Sequence, residues 1–185
     1  MMDFSLYNAQ TAPEASKPLL EASQKAFGMI PNLHAVMAEA PGLLEGYKTL
    51  HELFTQTSFT AEEQTVVWLS ISVEHGCHYC VPVHTGIARS MQISDEISNA
   101  LRRETPLPDA KLEALREFTL NVVRQRGNLH PAQVQAFLDA GYNQRQVLEV
   151  LLGVAQKTMS NYVNAIAATP VDEPFRKFAW KKHAA

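Results

Sequence analysis

The sequence predicts an all-α fold, and three observations carry that prediction. After the first dozen residues apolar side chains recur at the three-and-four spacing of a helix, alternating strand-like patterns are scarce, and helix start and stop residues recur along the chain. Pro18 to Phe27 reads as a helix closed by Gly28, and MIPNLHAVMAEA as a shorter one. Pro41 opens a long helix with an apolar stripe through Leu43, Leu44, Tyr47, Leu50, Leu53 and Phe54.

Thr60 begins TAEE, a capping box in which the threonine oxygen serves the Glu63 N–H and the Glu63 carboxylate reaches back. The helix it starts runs through Val66, Val67, Leu69, Ile71 and Val73 and stops at Gly76. Pro82 fits only a first helical turn, so the next N-cap falls between Cys77 and Tyr79 and that helix continues to Met91. Further helices are expected from Ser94 to Arg103, Asp109 to Arg126 with Gly127 as stop, and Pro131 to Ala140 with Gly141 as stop. The segment from about Asn143 to Ala168 carries Val147, Leu148, Leu151, Val154, Ala155 and Met159 near helical spacing and reads as the central core helix. Trp68, Phe54 and Phe118 lie on apolar stripes and read as core, and the basic, aromatic tail FRKFAWKKHAA is expected to pack on the body or on a neighbouring subunit.

With 185 residues, 46% hydrophobic and 19% charged, the chain suits a single domain over residues 1–185. The net charge of -3 supplies no basic stripe for nucleic acid and no cationic amphipathic segment for a membrane. No apolar run reaches membrane-spanning length and MMDFSLYNAQ lacks the pattern of a secretory leader, so a cytoplasmic location is expected.

The chemistry concentrates in EHGCHYCVPVHTG, residues 74–86, which holds both cysteines of the chain. Cys80 falls in a first helical turn, where the partial positive charge of the helix end favours thiolate over thiol. His84 follows one turn later on the same face, within reach of the thiol proton directly or through one water. Cys77, three residues before Cys80, stands at a separation that brings Cα atoms within the roughly 4.4 to 6.8 Å of a disulfide. Glu74 is the nearest carboxylate to orient His84 or to relay a proton to Cys77. Helix position favours Cys80 as the attacking sulfur, whereas in many CxxC oxidoreductases the first cysteine attacks.

The string E-x-x-C-x-Y-C-x-x-x-H, behind a T-A-E-E-Q helix start, resembles the carboxymuconolactone decarboxylase superfamily and, within it, the alkylhydroperoxidase D-like (AhpD-like) branch. The resemblance runs from about residue 32 to residue 175, and its specific part is Cys77 to His84. It implies an AhpD-like helical domain that forms homotrimers or homohexamers. It also implies a thiol peroxidase or disulfide oxidoreductase that needs neither metal nor organic cofactor, takes a small peroxide and is reset by a dithiol or protein reductant. By position Cys77 and Cys80 match the redox pair and His84 the histidine of the proton relay. The chain departs from the pattern at Thr65, where better-known members carry a carboxylate, and at Tyr79, where some carry a histidine. The acid then falls to Glu74, or to Glu62 or Glu63 from the start of the same helix, with Tyr79 and Glu63 in support.

Two other readings of the same residues are a zinc site, with Cys77, Cys80 and His84 closed by His34, His51 or His130, and a purely structural helical protein. A lyase of the wider superfamily is a third, and it would not need the cysteines. His34, His51 and His130 otherwise read as ordinary helix or turn residues.

Overall fold

A computed structural model of the chain describes residues 4–182, which form nine α-helices and two short 3-10 turns. The helices are α1 (Lys17–Phe27), α2 (Asn32–Met37), α3 (Pro41–Thr55), α4 (Ala61–Glu74), α5 (Cys80–Ser90), α6 (Asp95–Arg102), α7 (Ala110–Gln125), α8 (Pro131–Asp139) and α9 (Gln144–Ala167). The all-α expectation holds, with the boundaries close to the local signals except at α2, which is three residues shorter at each end than the stretch MIPNLHAVMAEA. Thr60 and Glu63 make both bonds of the capping box at the start of α4. Asp109 and Asn143 cap α7 and α9 with their side chains.

The centre of the fold is α4, contrary to the expectation that α9 is the central core helix. Every residue of α4 from Glu63 to Val73 is buried, because α5, α6, α7 and α9 surround it. α9 instead buries a polar face made of Gln146, Glu149, Gln156, Lys157, Ser160, Asn161 and Asn164, while Leu148 and Leu151 of its supposed core stripe are 65% and 43% exposed. Hydrophobic spacing misassigned this helix because most of its polar side chains find partners inside the protein, which offsets much of the cost of burying them.

Gly153 sets how closely α9 approaches the centre. A Cβ at this position would lie 2.7 Å from Phe54 and 2.8 Å from Val67, both fully buried and unable to retreat. The chain's last segment packs on the body: a 3-10 turn, Glu173–Phe178, lies on α5, Trp180 Nε1 donates to the Arg102 carbonyl at 3.0 Å, and Lys182 Nζ donates to the carbonyls of Val73 and Glu74. The tail's last three residues lie outside the described range.

Substituting Gly153→Val should destabilise the fold by about 1–3 kcal/mol through overpacking, which outweighs the few tenths gained from valine's better helix propensity. Urea unfolding followed by circular dichroism reads the change, and an unaltered midpoint would contradict the packing described.

Candidate active site

The turn that carries the cysteines is fixed by backbone chemistry. Gly76 adopts φ +64°, its N–H donates to the Val73 carbonyl, and the Cys77 N–H donates to the Ser72 carbonyl, a double closure that ends α4. The chain then restarts at α5 with Tyr79 as N-cap and Cys80 as first helical residue, and Pro82 sits within the first turn. Cys80 N–H donates to Cys77 Sγ at 3.3 Å, so the helix terminus itself holds the first sulfur. Both cysteines are free thiols and both are buried.

α9 closes the site from the other side. Asn164 Nδ2 donates to Cys80 Sγ at 3.3 Å, and Ser160 Oγ lies 3.8 Å from the same sulfur. Lys157, fully buried, places Nζ 2.8 Å from His84 Nε2. An ammonium only donates, so His84 Nε2 is an acceptor and the neutral imidazole carries its proton on Nδ1. Burial, followed by the Lys157 charge, keeps His84 far below its ordinary titration range. Among the described residues no carboxylate lies within 4 Å of Lys157.

These surroundings separate the two thiols. Burial raises Cys80, but a hydrogen bond from Cys77, the Lys157 charge and the hydroxyl of Ser160 outweigh it, so Cys80 is held well below the ordinary thiol value. Cys77 moves the opposite way, raised by its hydrogen bond to Cys80 and by burial. Cys80 also lines a cavity of about 590 Å³ between α2, α3, α4, α5 and the Asp172–Phe175 segment, and Cys77 is not part of its wall. The site therefore places a thiol of lowered pKa on the cavity wall, backed by a second thiol of raised pKa.

The residues singled out in the sequence divide between two places. Cys80 and His84 both line the cavity with Cys77 behind Cys80, but His84 bonds to Lys157 and makes no direct hydrogen bond to Cys80. Glu74 does not orient His84: its carboxylate is gripped by both arms of Arg124 at 2.8 and 2.9 Å, and that guanidinium holds it below the usual carboxylate range. Geometry across the Gly76 turn sends Glu74 outward toward α7 while α5 carries His84 inward. Glu63 remains in its capping box and reaches Lys111 at 3.4 Å, and Glu62 is exposed in the first turn of α4. Thr65 is buried and donates to the Ala61 carbonyl. Tyr79 borders the cavity and acts as a tether: its hydroxyl donates to the Asp172 carboxylate and accepts from the Leu33 N–H at 3.2 Å.

No motif in the sequence marks Lys157 or Ser160 as a site residue; Asn164, like Asn161, is there a helix asparagine able to hydrogen-bond near the site without a catalytic role, and His34, His51 and Trp68 all border the cavity. A signal for the α9 residues was present: Gln156, Ser160 and Asn164, with Lys157 and Asn161, repeat every four residues as a polar stripe inside an otherwise apolar helix. Among the described residues no group of three or more His, Cys, Asp or Glu side chains is placed to hold a metal ion.

No family model matches the chain, and no curated protein does so. Solved structures do match it. A peroxidase-related protein with an alkylhydroperoxidase AhpD core from Ralstonia eutropha JMP134 superposes with a TM-score of 0.81 at 17% identity, covering 95% of this chain and 96% of its own. A peroxidase-related protein from Silicibacter sp. TM1040 gives a TM-score of 0.79 at 18% identity, over 94% of this chain and 92% of its own. The debrominase Bmp8, in an alanine variant complexed with 2,3,4-tribromopyrrole, gives 0.75 at 16% identity, over 96% of this chain and 95% of its own. At these identities the likeness shows a shared fold: the chain has the AhpD-like all-helical architecture.

Iodoacetamide should alkylate Cys80 far faster than Cys77, with a pH midpoint for Cys80 below about 7 instead of the ~8.5 of a free thiol. Because the depressed value keeps the thiolate present at all higher pH, the rate falls only on acidification below that midpoint. Lys157→Met should raise the midpoint by at least about one pH unit, while Glu74→Gln leaves it in place; peptide mass spectrometry over a pH series reads both.

Proposed function

We propose that the protein is a thiol-dependent peroxidase or disulfide oxidoreductase in which Cys80 attacks and Cys77 resolves. The observation that carries this reading is Cys80 on the cavity wall, its N–H donating to the second thiol at 3.3 Å, with Lys157 and His84 lining the same cavity. The Cys80 thiolate attacks the terminal oxygen of a hydroperoxide, the O–O bond breaks, and Cys80 becomes a sulfenic acid. Lys157 supplies the proton that turns the leaving alkoxide into an alcohol, and its contact with His84 Nε2 holds the resulting amine in place. Cys77, kept as a thiol by its raised pKa, displaces hydroxide from the sulfenic sulfur; its own proton leaves with that hydroxide as water, and a Cys77–Cys80 disulfide remains. An external dithiol or protein reductant restores both thiols, and the Cys80 proton returns to Lys157.

The mostly apolar cavity supports organic hydroperoxides over hydrogen peroxide. It also supports a second reading, strengthened by the fold shared with a debrominase: attack of the same thiolate on a ring-bound halogen, with a proton taking the halogen's place on carbon and Cys77 expelling halide to give the same disulfide. For assembly we propose a homotrimer or homohexamer, a reading supported by the exposed row Leu148, Leu151, Tyr162 and Ile166 on the outer face of α9.

Thiol titration before and after stoichiometric cumene hydroperoxide tests the main reading. Two thiols should be lost to a Cys77–Cys80 bridge and recovered with dithiothreitol; Cys77→Ser should stop at a trapped sulfenic acid, and Cys80→Ser should consume no peroxide. Inert thiols in the wild type, or a fully active Cys80→Ser, would overturn it, and bromide release from a bromopyrrole without peroxide consumption would favour the second reading. Light scattering should show three or six copies, with Leu151→Glu and Ile166→Glu together giving a smaller species.

A further inference from the structure

One wall of the cavity is an unbroken ladder of rings. Phe27, His34, Tyr47, His51, Trp68 and His84 follow one another with centroids 4.9 to 6.3 Å apart, and all six border the cavity. His51 sits mid-ladder, stacked within 22° of the Tyr47 ring and 20° of the Trp68 ring.

A chain of hydrogen bonds beside the ladder decides which nitrogen of His51 carries the proton. The indole N–H can only donate, and Trp68 Nε1 lies 2.8 Å from Gln156 Oε1, so that amide oxygen accepts. Gln156 is fully buried and its amide orientation is thereby set, which leaves Nε2 to donate to His51 Nδ1 at 3.2 Å and to the Tyr47 hydroxyl at 3.4 Å. With Nδ1 accepting, a neutral His51 carries its proton on Nε2. The ring is neutral, since burial and then the Lys157 charge lower its pKa to about 4. Among the described residues that Nε2–H has no protein partner, and the ring it belongs to borders the cavity.

We propose that His51 Nε2–H is a recognition point for a flat, mostly apolar ligand that carries a hydrogen-bond acceptor such as a carbonyl or aryl ether oxygen, with Trp68 and Gln156 as the positioning residues that fix the donor. The ladder supplies stacking area for the ring of such a ligand, and the donor selects its polar edge. A ligand with a donor at the same place meets N–H against N–H or O–H and is disfavoured. This inference rests on the cavity being the substrate site of the Cys80 chemistry, and it names the class of molecule that the site takes.

Two probes of nearly equal shape test it: acetophenone, whose carbonyl accepts, and α-methylstyrene, in which a methylene replaces that oxygen. Long-range proton–nitrogen spectra of histidine-labelled wild-type protein should show His51 protonated on Nε2, with that resonance moving on addition of acetophenone. His51→Phe keeps a ring in the ladder; it should weaken acetophenone about three- to tenfold and leave α-methylstyrene within about twofold. A His51 proton on Nδ1, or equal loss of both probes in the variant, would overturn the proposal, and the wild-type spectrum decides even if the variant does not fold. Iodoacetamide reactivity of wild-type Cys80 is followed in parallel: reactive Cys80 with indifferent His51 sinks this inference alone, whereas inert Cys80 with selective binding sinks the thiol reading alone.

Discussion

The site depends on one buried charge. Lys157 stands at 0% exposure with a neutral imidazole as its hydrogen-bond partner and, among the described residues, no carboxylate within ion-pairing distance. An ammonium held in such a place is costly unless an anion forms near it. Cys80 is the group that answers: the hydrogen bond from Cys77 and then the Lys157 charge outweigh the burial that raises its pKa, so the negative form is favoured where the positive charge is buried. The other contacts serve that pairing. Asn164 donates to the sulfur, Ser160 flanks it, and His84 accepts from the ammonium and lies tilted against Trp68 with ring centroids 4.9 Å apart.

The same logic explains an unusual helix. α9 turns its polar stripe inward and leaves leucine, tyrosine and isoleucine outside because each inward polar group answers a specific need: Gln156 takes the Trp68 N–H, Asn161 meets His75, Asn164 meets Cys80 and Glu149 takes the Ser58 N–H. Gly153 permits the close approach that these contacts require. Specific pairing thus replaces apolar burial along much of this helix, and α4 supplies the apolar centre instead.

Local chemistry made the fold legible. The Thr60–Glu63 box, the glycine stop at Gly76 and the proline at position 82 act over a few residues, so the sequence alone places the helix boundaries and the cysteines at a helix start. The thiol pair was legible for the same reason. What was not legible depends on distant segments. A lysine in a long helix is by default a surface residue, and nothing near Lys157 in the chain announces that His84 waits for it. Glu74 illustrates the converse: close in sequence to the cysteines, it is turned away by the bend at Gly76 and claimed by Arg124 from α7. His34 and His51 gain their place only when α2 and α3 fold over the cavity.

The tether at Tyr79 ties the order of synthesis to chemical safety. Tyr79, Asp172 and the N–H groups of Asn32 and Leu33 join three stretches far apart in the chain, and Lys157 and Asn164 reach Cys80 and His84 from the last third. A growing chain exposes both cysteines long before the α9 residues that surround Cys80 have been made. Until then the thiols sit in an unfolded segment with ordinary acidity, slow to react at neutral pH. In the proposed thiol chemistry, reactivity is thus switched on by completion of the fold, and the nascent chain keeps its thiols at ordinary acidity until then.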